Sequence, residues 1–192
     1  MPLTFGGAPR REQVYLLVAG AVALALPLLL TGPFAEARLV DMTPPDWLTC
    51  VTLIAMSGLN VEMGRILVGG LAVGQQPHKA LSAWAFACAM VLPPAWLLVV
   101  VPVTYTHARW RGLRVPLWKW IGSAGFLVLA GCAASLVPRW VRGGLPNWMD
   151  GDGGRGLATL LLAVVVFLVV EHALFAGSAW LNHAWDEQWL RA

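Results

Sequence analysis

Residues 76–119, QPHKALSAWAFACAMVLPPAWLLVVVPVTYTHARWRGLRVPLWK, decide the fold of this chain. A long apolar run is interrupted there by Pro93-Pro94 and is followed by the densest cluster of basic residues in the sequence. Each crossing of a membrane reverses the side on which the next loop lies. Whether this run crosses once or twice therefore sets the direction in which each of the remaining apolar segments crosses the membrane.

The composition is typical of a helical membrane protein. The 192 residues are 58% hydrophobic and 12% charged, and the mean hydropathy is +0.68, whereas soluble domains carry about 25% charged residues. Several apolar runs approach the roughly 20 residues that a helix needs to cross the hydrocarbon core. We therefore expect an all-α polytopic membrane protein, with one transmembrane domain over residues 1–192, in the cytoplasmic membrane of a bacterium.

Cysteine usage and motifs do not point to catalysis. Cys50, Cys88 and Cys132 lie within apolar runs without a spacing such as C-x-x-C, which predicts small buried hydrophobic side chains. The sequence contains no G-x-S-x-G, H-E-x-x-H or P-loop pattern. We predict no enzymatic activity, no metal or other cofactor, and no nucleic-acid partner; the expected surroundings are the lipid bilayer.

The first two apolar segments have clear starting signals. The segment from Val14 to Leu30 follows Arg10-Arg11 and is longer than the core of an export signal, so we expect an uncleaved span with a cytoplasmic N-terminus. Thr43-Pro44-Pro45-Asp46 resembles a capping box and predicts a helix that begins near Pro44. The second span is predicted over Trp47 to Leu67.

The Pro93-Pro94 pair leaves two topologies open. If Leu81–Val103 is one span, the chain crosses five times, and the basic loop 104–119 lies outside, against the positive-inside rule. If the prolines end a helix, two short helices over about 79–92 and 95–108 form a hairpin. The second interpretation gives six helices and a cytoplasmic basic loop, and we favour it. The remaining spans are predicted over Leu117 to Val137 and Leu157 to Trp180.

The candidate site consists of ionisable residues inside predicted spans. Such residues are costly in a bilayer and mark functional sites by default. Glu62 and Arg65 are three residues apart, share a helix face and are predicted to pair. The indole rings of two tryptophans are expected to form the wall of a pocket beside these groups. The predicted ligand-binding residues are therefore Glu62, Arg65, Trp84, Trp120, Glu171 and His172.

The order of features from about residue 57 to 137 resembles that of a known family. A polar-ended helix with an acid is followed by KALSAWAF (79–86), a short helix, a proline turn, a second short helix with an arginine-rich end and a helix entered through Trp-Lys-Trp (118–120). This order resembles the MASE-like membrane sensor regions that precede GGDEF, EAL or HD-GYP domains, especially in actinobacteria. It is also similar in outline to the S-components of energy-coupling-factor transporters. Pro-Pro stands here where those sensor regions have Gly-Pro.

Three functional classes follow from these observations. The resemblance implies a non-catalytic sensory or ligand-binding membrane domain, which we expect to be the N-terminal part of a longer signalling protein. The alternatives are a substrate-binding subunit of a transporter and an accessory subunit of a membrane complex. A small-molecule ligand and a homodimer or larger membrane assembly are the expected partners.

The favoured topology predicts which loops a reagent outside the cell can reach. A Gly112→Cys variant should resist a membrane-impermeant thiol reagent in intact cells, because the basic loop is cytoplasmic, whereas Gly153→Cys should react. Labelling can be quantified by a gel-shift assay before and after permeabilisation. Labelling at residue 112 with protection at residue 153 would contradict both the six-helix topology and the cytoplasmic N-terminus.

Overall fold

The computed structural model describes residues 10–31, 44–68, 78–111, 117–142 and 153–183, apart from some side chains near helix ends. The described residues contain six α-helices, one short 3-10 turn and no strand. The all-helical fold class is therefore confirmed. The elements are α1 (Arg10–Thr31), α2 (Pro44–Val68), α3 (His78–Val91), the 3-10 turn (Pro94–Trp96), α4 (Leu97–Trp110), α5 (Leu117–Arg142) and α6 (Gly153–His183).

Consecutive helices alternate in direction. We call the end of the bundle where α1 begins the basal end, and the end where α1 finishes the distal end. At the distal end, Thr31 on α1 contacts the turn between α3 and α4, and Trp47 near the start of α2 stacks edge-on against Trp96 at 5.0 Å. At the basal end, Glu62 on α2 meets Arg111, which follows α4 directly. The end of α6 and the start of α5 also lie at the basal end, because Ser178 bonds to Glu12 and Gly122 lies against Leu16. Therefore α1, α3 and α5 run one way and α2, α4 and α6 the other.

The predicted hairpin at Pro93-Pro94 is confirmed. Helix α3 ends at Val91, and α4 begins at Leu97 after the 3-10 turn. Proline lacks an N–H group, so a turn with two prolines offers few backbone donors for capping. The structure pairs the donors that remain: the Trp96 N–H group donates to the Pro93 carbonyl at 3.0 Å, and the Ala95 N–H group donates to the Thr31 hydroxyl at 2.9 Å.

The hairpin forms the centre of the bundle. Its 14-residue helices are each about 21 Å long, short of the roughly 30 Å hydrocarbon core. Their apolar side chains nonetheless include the most completely buried ones, among them Cys88, Ala89, Leu97 and Val100. Longer neighbours therefore cover much of the surface of the short helices.

Close approach of α5 to the hairpin depends on a glycine. A Cβ atom at Gly131 would lie 2.9 Å from the Leu97 Cδ1 atom and 3.5 Å from the Ala89 Cβ atom. The first distance is shorter than real Cβ contacts allow, so a larger residue here would require the buried Leu97 side chain or α5 itself to shift. Cys50, Cys88 and Cys132 are all buried, as the sequence predicts, and none of the three forms a disulfide.

The outer surface of the bundle is apolar. Three of the described helices are long and apolar enough to cross a membrane: Arg10–Thr31, Trp118–Pro138 and Gly153–Leu181. Only 28% of the first and 22% of the last are buried within the bundle, against 72% of the central one. Strongly exposed tryptophans lie near both ends, with Trp140 at the distal end and Trp110 and Trp180 at the basal end. Such a surface suits lipid, and indole rings favour the membrane–water interface.

Two predicted helix boundaries were wrong. Helix α5 continues through the buried Pro138 to Arg142, although we expected it to end at Val137. A proline removes one hydrogen bond of the helix, and packing against neighbouring helices compensates for that loss in membrane bundles. Helix α6 begins at Gly153, four residues before the predicted Leu157, so the glycine-rich segment 138–156 is partly helical.

The Thr31 hydroxyl should stabilise the turn. Thr31→Val would leave the buried Ala95 N–H group without an acceptor, at a cost of about 1–3 kcal/mol. Thr31→Ser keeps the hydroxyl and should lose much less, while Thr106→Val, at an exposed position, serves as the control. The melting temperature in detergent measures the effect. Equal melting temperatures for the valine and serine variants at residue 31 would exclude this role.

Candidate functional site

A carboxylate is buried inside the bundle towards the basal end. Glu171 on α6 is only 6% exposed, and the Ser82 hydroxyl on α3 donates to its Oε1 atom at 2.6 Å. That distance is typical of a hydroxyl bound to a carboxylate. Seven residues separate Glu171 from Ser178, which places both on the face of α6 that is turned towards the bundle. An otherwise apolar helix thus carries a polar stripe that faces inward.

A pair of aromatic side chains in mutual contact, Tyr105 and Trp120, lies in this part of the bundle. Tyr105 on α4 is 1% exposed and close enough to Glu171 to interact with it electrostatically. Its ring meets the Trp120 ring of α5 edge-on, with 4.8 Å between centroids. The Arg109 guanidinium lies 5.9 Å from the centre of the Trp120 ring, within cation–π range. Four helices thus contribute to one interior polar group, which we define as Ser82, Tyr105, Trp120 and Glu171.

The interior polar group retains unused hydrogen-bonding capacity. The Tyr105 hydroxyl and the Trp120 Nε1 atom are buried and find no partner among the described residues. A buried polar group without a partner costs about 1–3 kcal/mol in proteins. Water or a ligand usually fills such positions. Since indole is only a donor and phenol can also donate, the group offers two donors to whatever binds there.

A second polar group links α2 to the end of α4. Arg111 donates through Nε and a terminal nitrogen to the two carboxylate oxygens of Glu62, a bidentate geometry that also raises the pKa of Arg111 through the hydrogen bond. The His107 Nε2 atom lies 3.3 Å from the Glu62 Oε1 atom. All three side chains are about one-third exposed. This cluster, which we call the α2–α4 ion pair, lies at the edge of the bundle.

A third polar contact joins the start of α1 to α6. Glu12 is 3% exposed and accepts a hydrogen bond of 3.1 Å from the Ser178 hydroxyl. Its second oxygen, Oε2, is buried without a partner among the described residues. One turn further along α1, the Tyr15 hydroxyl donates to the Leu174 carbonyl at 3.0 Å. The basal ends of α1 and α6 are thus fastened by two side-chain hydrogen bonds.

The structure distributes the predicted site residues differently from our expectation. Glu62 binds partners on and just after α4, whereas Glu171 binds α3, so the two carboxylates belong to different polar groups. The expected partner of Glu62 was Arg65, whose side chain lies outside the described residues; the partner that the structure provides is Arg111. A guanidinium from a separate helix end can approach the carboxylate head-on, which explains the bidentate contact.

The aromatic and histidine predictions had mixed outcomes. Trp120 lies within the interior polar group, and Trp84 is half-buried with its Nε1 atom unpaired among the described residues. His172 does not face the bundle: it is exposed, and its Nδ1 atom lies 2.7 Å from the Leu168 carbonyl of the same helix. One residue along a helix turns the side chain by about 100°, so His172 cannot share the inward face of Glu171.

Several important residues were missed from the sequence. Ser82 and Tyr105 carry hydroxyl groups inside apolar runs, which is a weak signal, since such groups often bond to their own helix. Glu12 precedes the predicted first span and was therefore not considered intramembrane. Arg111 was assigned to the basic loop as a topological signal and not as a binding partner.

Comparisons with protein-family models, curated proteins and solved structures found no match to this chain. Within the described residues, no group of three or more His, Cys, Asp or Glu side chains could hold a metal ion. The polar groups themselves are therefore the features from which we infer a function.

The bidentate contact predicts a non-additive mutant cycle. Glu62→Gln and Arg111→Gln should each lower the melting temperature in detergent, because each leaves a charge without its partner. The double variant should be no less stable than the worse single variant. A parallel cycle with Arg65→Gln tests the pairing that the sequence predicted. Additive losses in the Arg111 cycle would show that the contact contributes nothing to stability.

Proposed function

We propose that this chain is a non-catalytic sensory domain of a bacterial cytoplasmic membrane, which binds a small molecule within its helical bundle. Six crossings, two of them by the short helices of the hairpin, bring the N-terminus and the basal end to the cytoplasm. The interior polar group is the ligand site. The resemblance of residues 57–137 to MASE-like sensor regions agrees with this proposal.

The distribution of charge supports the orientation. Arg10, Arg11 and Lys119 lie at the basal end, as do Arg109 in the last turn of α4 and Arg111 directly after it. Arginine is sparser at the distal end, where Arg139, Arg142 and Arg155 lie at the ends of α5 and α6. Lys and Arg accumulate on the cytoplasmic side of bacterial membrane proteins. The alternating helix directions are those that six crossings require.

The observation that carries the binding proposal is the pair of unpaired donors. The Tyr105 hydroxyl and the Trp120 Nε1 atom are buried without a partner among the described residues, their rings are in contact, and Tyr105 lies within electrostatic range of Glu171. A negative charge nearby disfavours an anionic ligand. An uncharged compound with acceptor oxygens, such as a carbonyl compound, fits two donors set among aromatic rings, since pockets in bundles combine apolar walls with few polar groups. Quinones that dissolve in the bilayer belong to this class and are suitable probes.

Thermal stability in the presence of decylubiquinone or a small naphthoquinone tests this proposal. Binding to the folded state alone stabilises by about 2.7 kcal/mol when the free compound is ~100 times its Kd. We expect a higher melting temperature for the detergent-solubilised wild type and a smaller shift for Tyr105→Phe and Trp120→Phe. These variants remove a donor and keep an aromatic ring.

Trp110→Phe is the matched control, because Trp110 is exposed and lies outside the interior polar group. It should retain the full ligand-induced shift. An equal shift in all variants would indicate uptake of the compound by the detergent micelle or by another surface. No shift with any probe would contradict the proposed ligand class and favour the role of an accessory subunit.

A further inference from the structure

Exposed cations lie at the basal ends of two neighbouring helices, α1 and α5. Arg10 and Arg11 begin α1, Lys119 lies in the first turn of α5, and all three side chains are exposed. The two helices touch a short distance further along, because a Cβ atom at Gly122 would lie 2.6 Å from the Leu16 Cδ2 atom. We call Arg10, Arg11 and Lys119 the α1–α5 basic edge.

The three residues of the basic edge lie at similar depth. Lys119 precedes Gly122 by three residues, which is about 4.5 Å along the helix axis. Arg11 and Arg10 precede Leu16 by five and six residues, which is about 7.5 and 9 Å. Since Gly122 and Leu16 are in contact and α1 and α5 run in the same direction, the backbone heights of the three cations differ by less than about 5 Å. The long side chains of arginine and lysine can cover that difference.

An anchored indole ring fixes the position of one of these charges. The Lys119 ammonium lies 5.2 Å from the centre of the Trp118 ring, within cation–π range. Trp118 itself packs against the cluster of Leu16, Ala19 and Phe126 between the helices. Indole rings favour the membrane–water interface. Lys119 is therefore held at the level where the phosphates of a bilayer lie.

The surroundings of the basic edge fit a lipid better than a free anion. Glu12, the acidic residue in the first turn of α1, is 3% exposed and is turned towards Ser178 on α6, so its carboxylate is withdrawn from the surface. In the following turns of α1, Val14, Leu17 and Val18 are each more than half exposed. A free anion would use only the cations, whereas a phospholipid can also cover these apolar side chains with its acyl chains.

We propose that the α1–α5 basic edge binds an anionic phospholipid, with its phosphate at the three cations and its acyl chains along the outward face of α1. Each Lys or Arg near an anionic lipid surface contributes about fivefold in affinity. The lipid site is separate from the interior polar group and does not depend on a ligand there. It adds a lipid partner to the function proposed above.

Native mass spectrometry of the detergent-solubilised full-length chain tests the lipid site. The probes are phosphatidylglycerol and phosphatidylcholine with identical palmitoyl and oleoyl chains, and we expect phosphatidylglycerol to bind more than about tenfold more tightly. Lys119→Gln should weaken phosphatidylglycerol binding about fivefold, whereas Lys119→Arg keeps the charge and should bind as the wild type does. Arg155→Gln is the matched control, because it removes one exposed cation at the distal end.

Competition and salt separate a lipid from other anions. More concentrated ammonium acetate should weaken phosphatidylglycerol binding more than phosphatidylcholine binding, because salt screens exposed charges. Complete displacement of phosphatidylglycerol by inorganic phosphate would assign the edge to a free anion and overturn the proposal. So would equal affinities for the two lipids, or equal losses in Lys119→Gln and Arg155→Gln. Melting temperatures in phosphatidylcholine micelles should be the same for all variants, which verifies that each is folded.

Discussion

The break at Pro93-Pro94 is the constraint on which the rest of the structure depends. It divides an apolar run of one-span length into two helices that are each too short to cross a bilayer comfortably. Such helices are stable only where protein surrounds them, so the four longer helices pack around the hairpin. The turn between them would bury backbone donors at the distal end, and Thr31 of α1 accepts the one from Ala95. This hydrogen bond holds the distal end of α1 against the turn between α3 and α4.

The hairpin also explains where polar side chains gather. Because α3 and α4 are short, hydroxyl groups near their basal ends lie inside the bundle. Ser82 and Tyr105 carry two of these groups: Ser82 donates to Glu171 on α6, and Tyr105 lies within electrostatic range of Glu171. A charged or strongly polar residue at the centre of a membrane helix costs about 2.5–3.5 kcal/mol on insertion scales. The interior polar group replaces part of the hydration that the Glu171 carboxylate loses on burial. The donors of Tyr105 and Trp120 remain without an acceptor among the described residues.

Helix positions could be predicted from the sequence far better than side-chain partners. Apolar length, proline and charge asymmetry located all six helices of the described part, since these signals are local. The errors lie where packing overrides local preference: Pro138 lies inside α5, and three glycines lie in the first turn of α6. Partners are not local. Glu62 pairs with Arg111, 49 residues further along the chain, and nothing in their spacing distinguishes that contact from the nearer Arg65.

The three polar groups have a common position that bears on how a sensor of this kind would work. Glu12 with Ser178, Glu62 with Arg111 and Glu171 with Ser82 each join two different helices towards the basal end. The described hydrogen bond at the distal turn, by contrast, involves a neutral hydroxyl and a backbone N–H group. The strength of a contact between a carboxylate and another helix changes with charge, hydration and bound ligands, whereas the packing of apolar side chains between helices does not depend on charge. A ligand bound at Tyr105 and Trp120 would therefore act on the end of the bundle where the helix contacts are most easily changed. Under the proposed topology that end faces the cytoplasm, where an output of the sensor would be read.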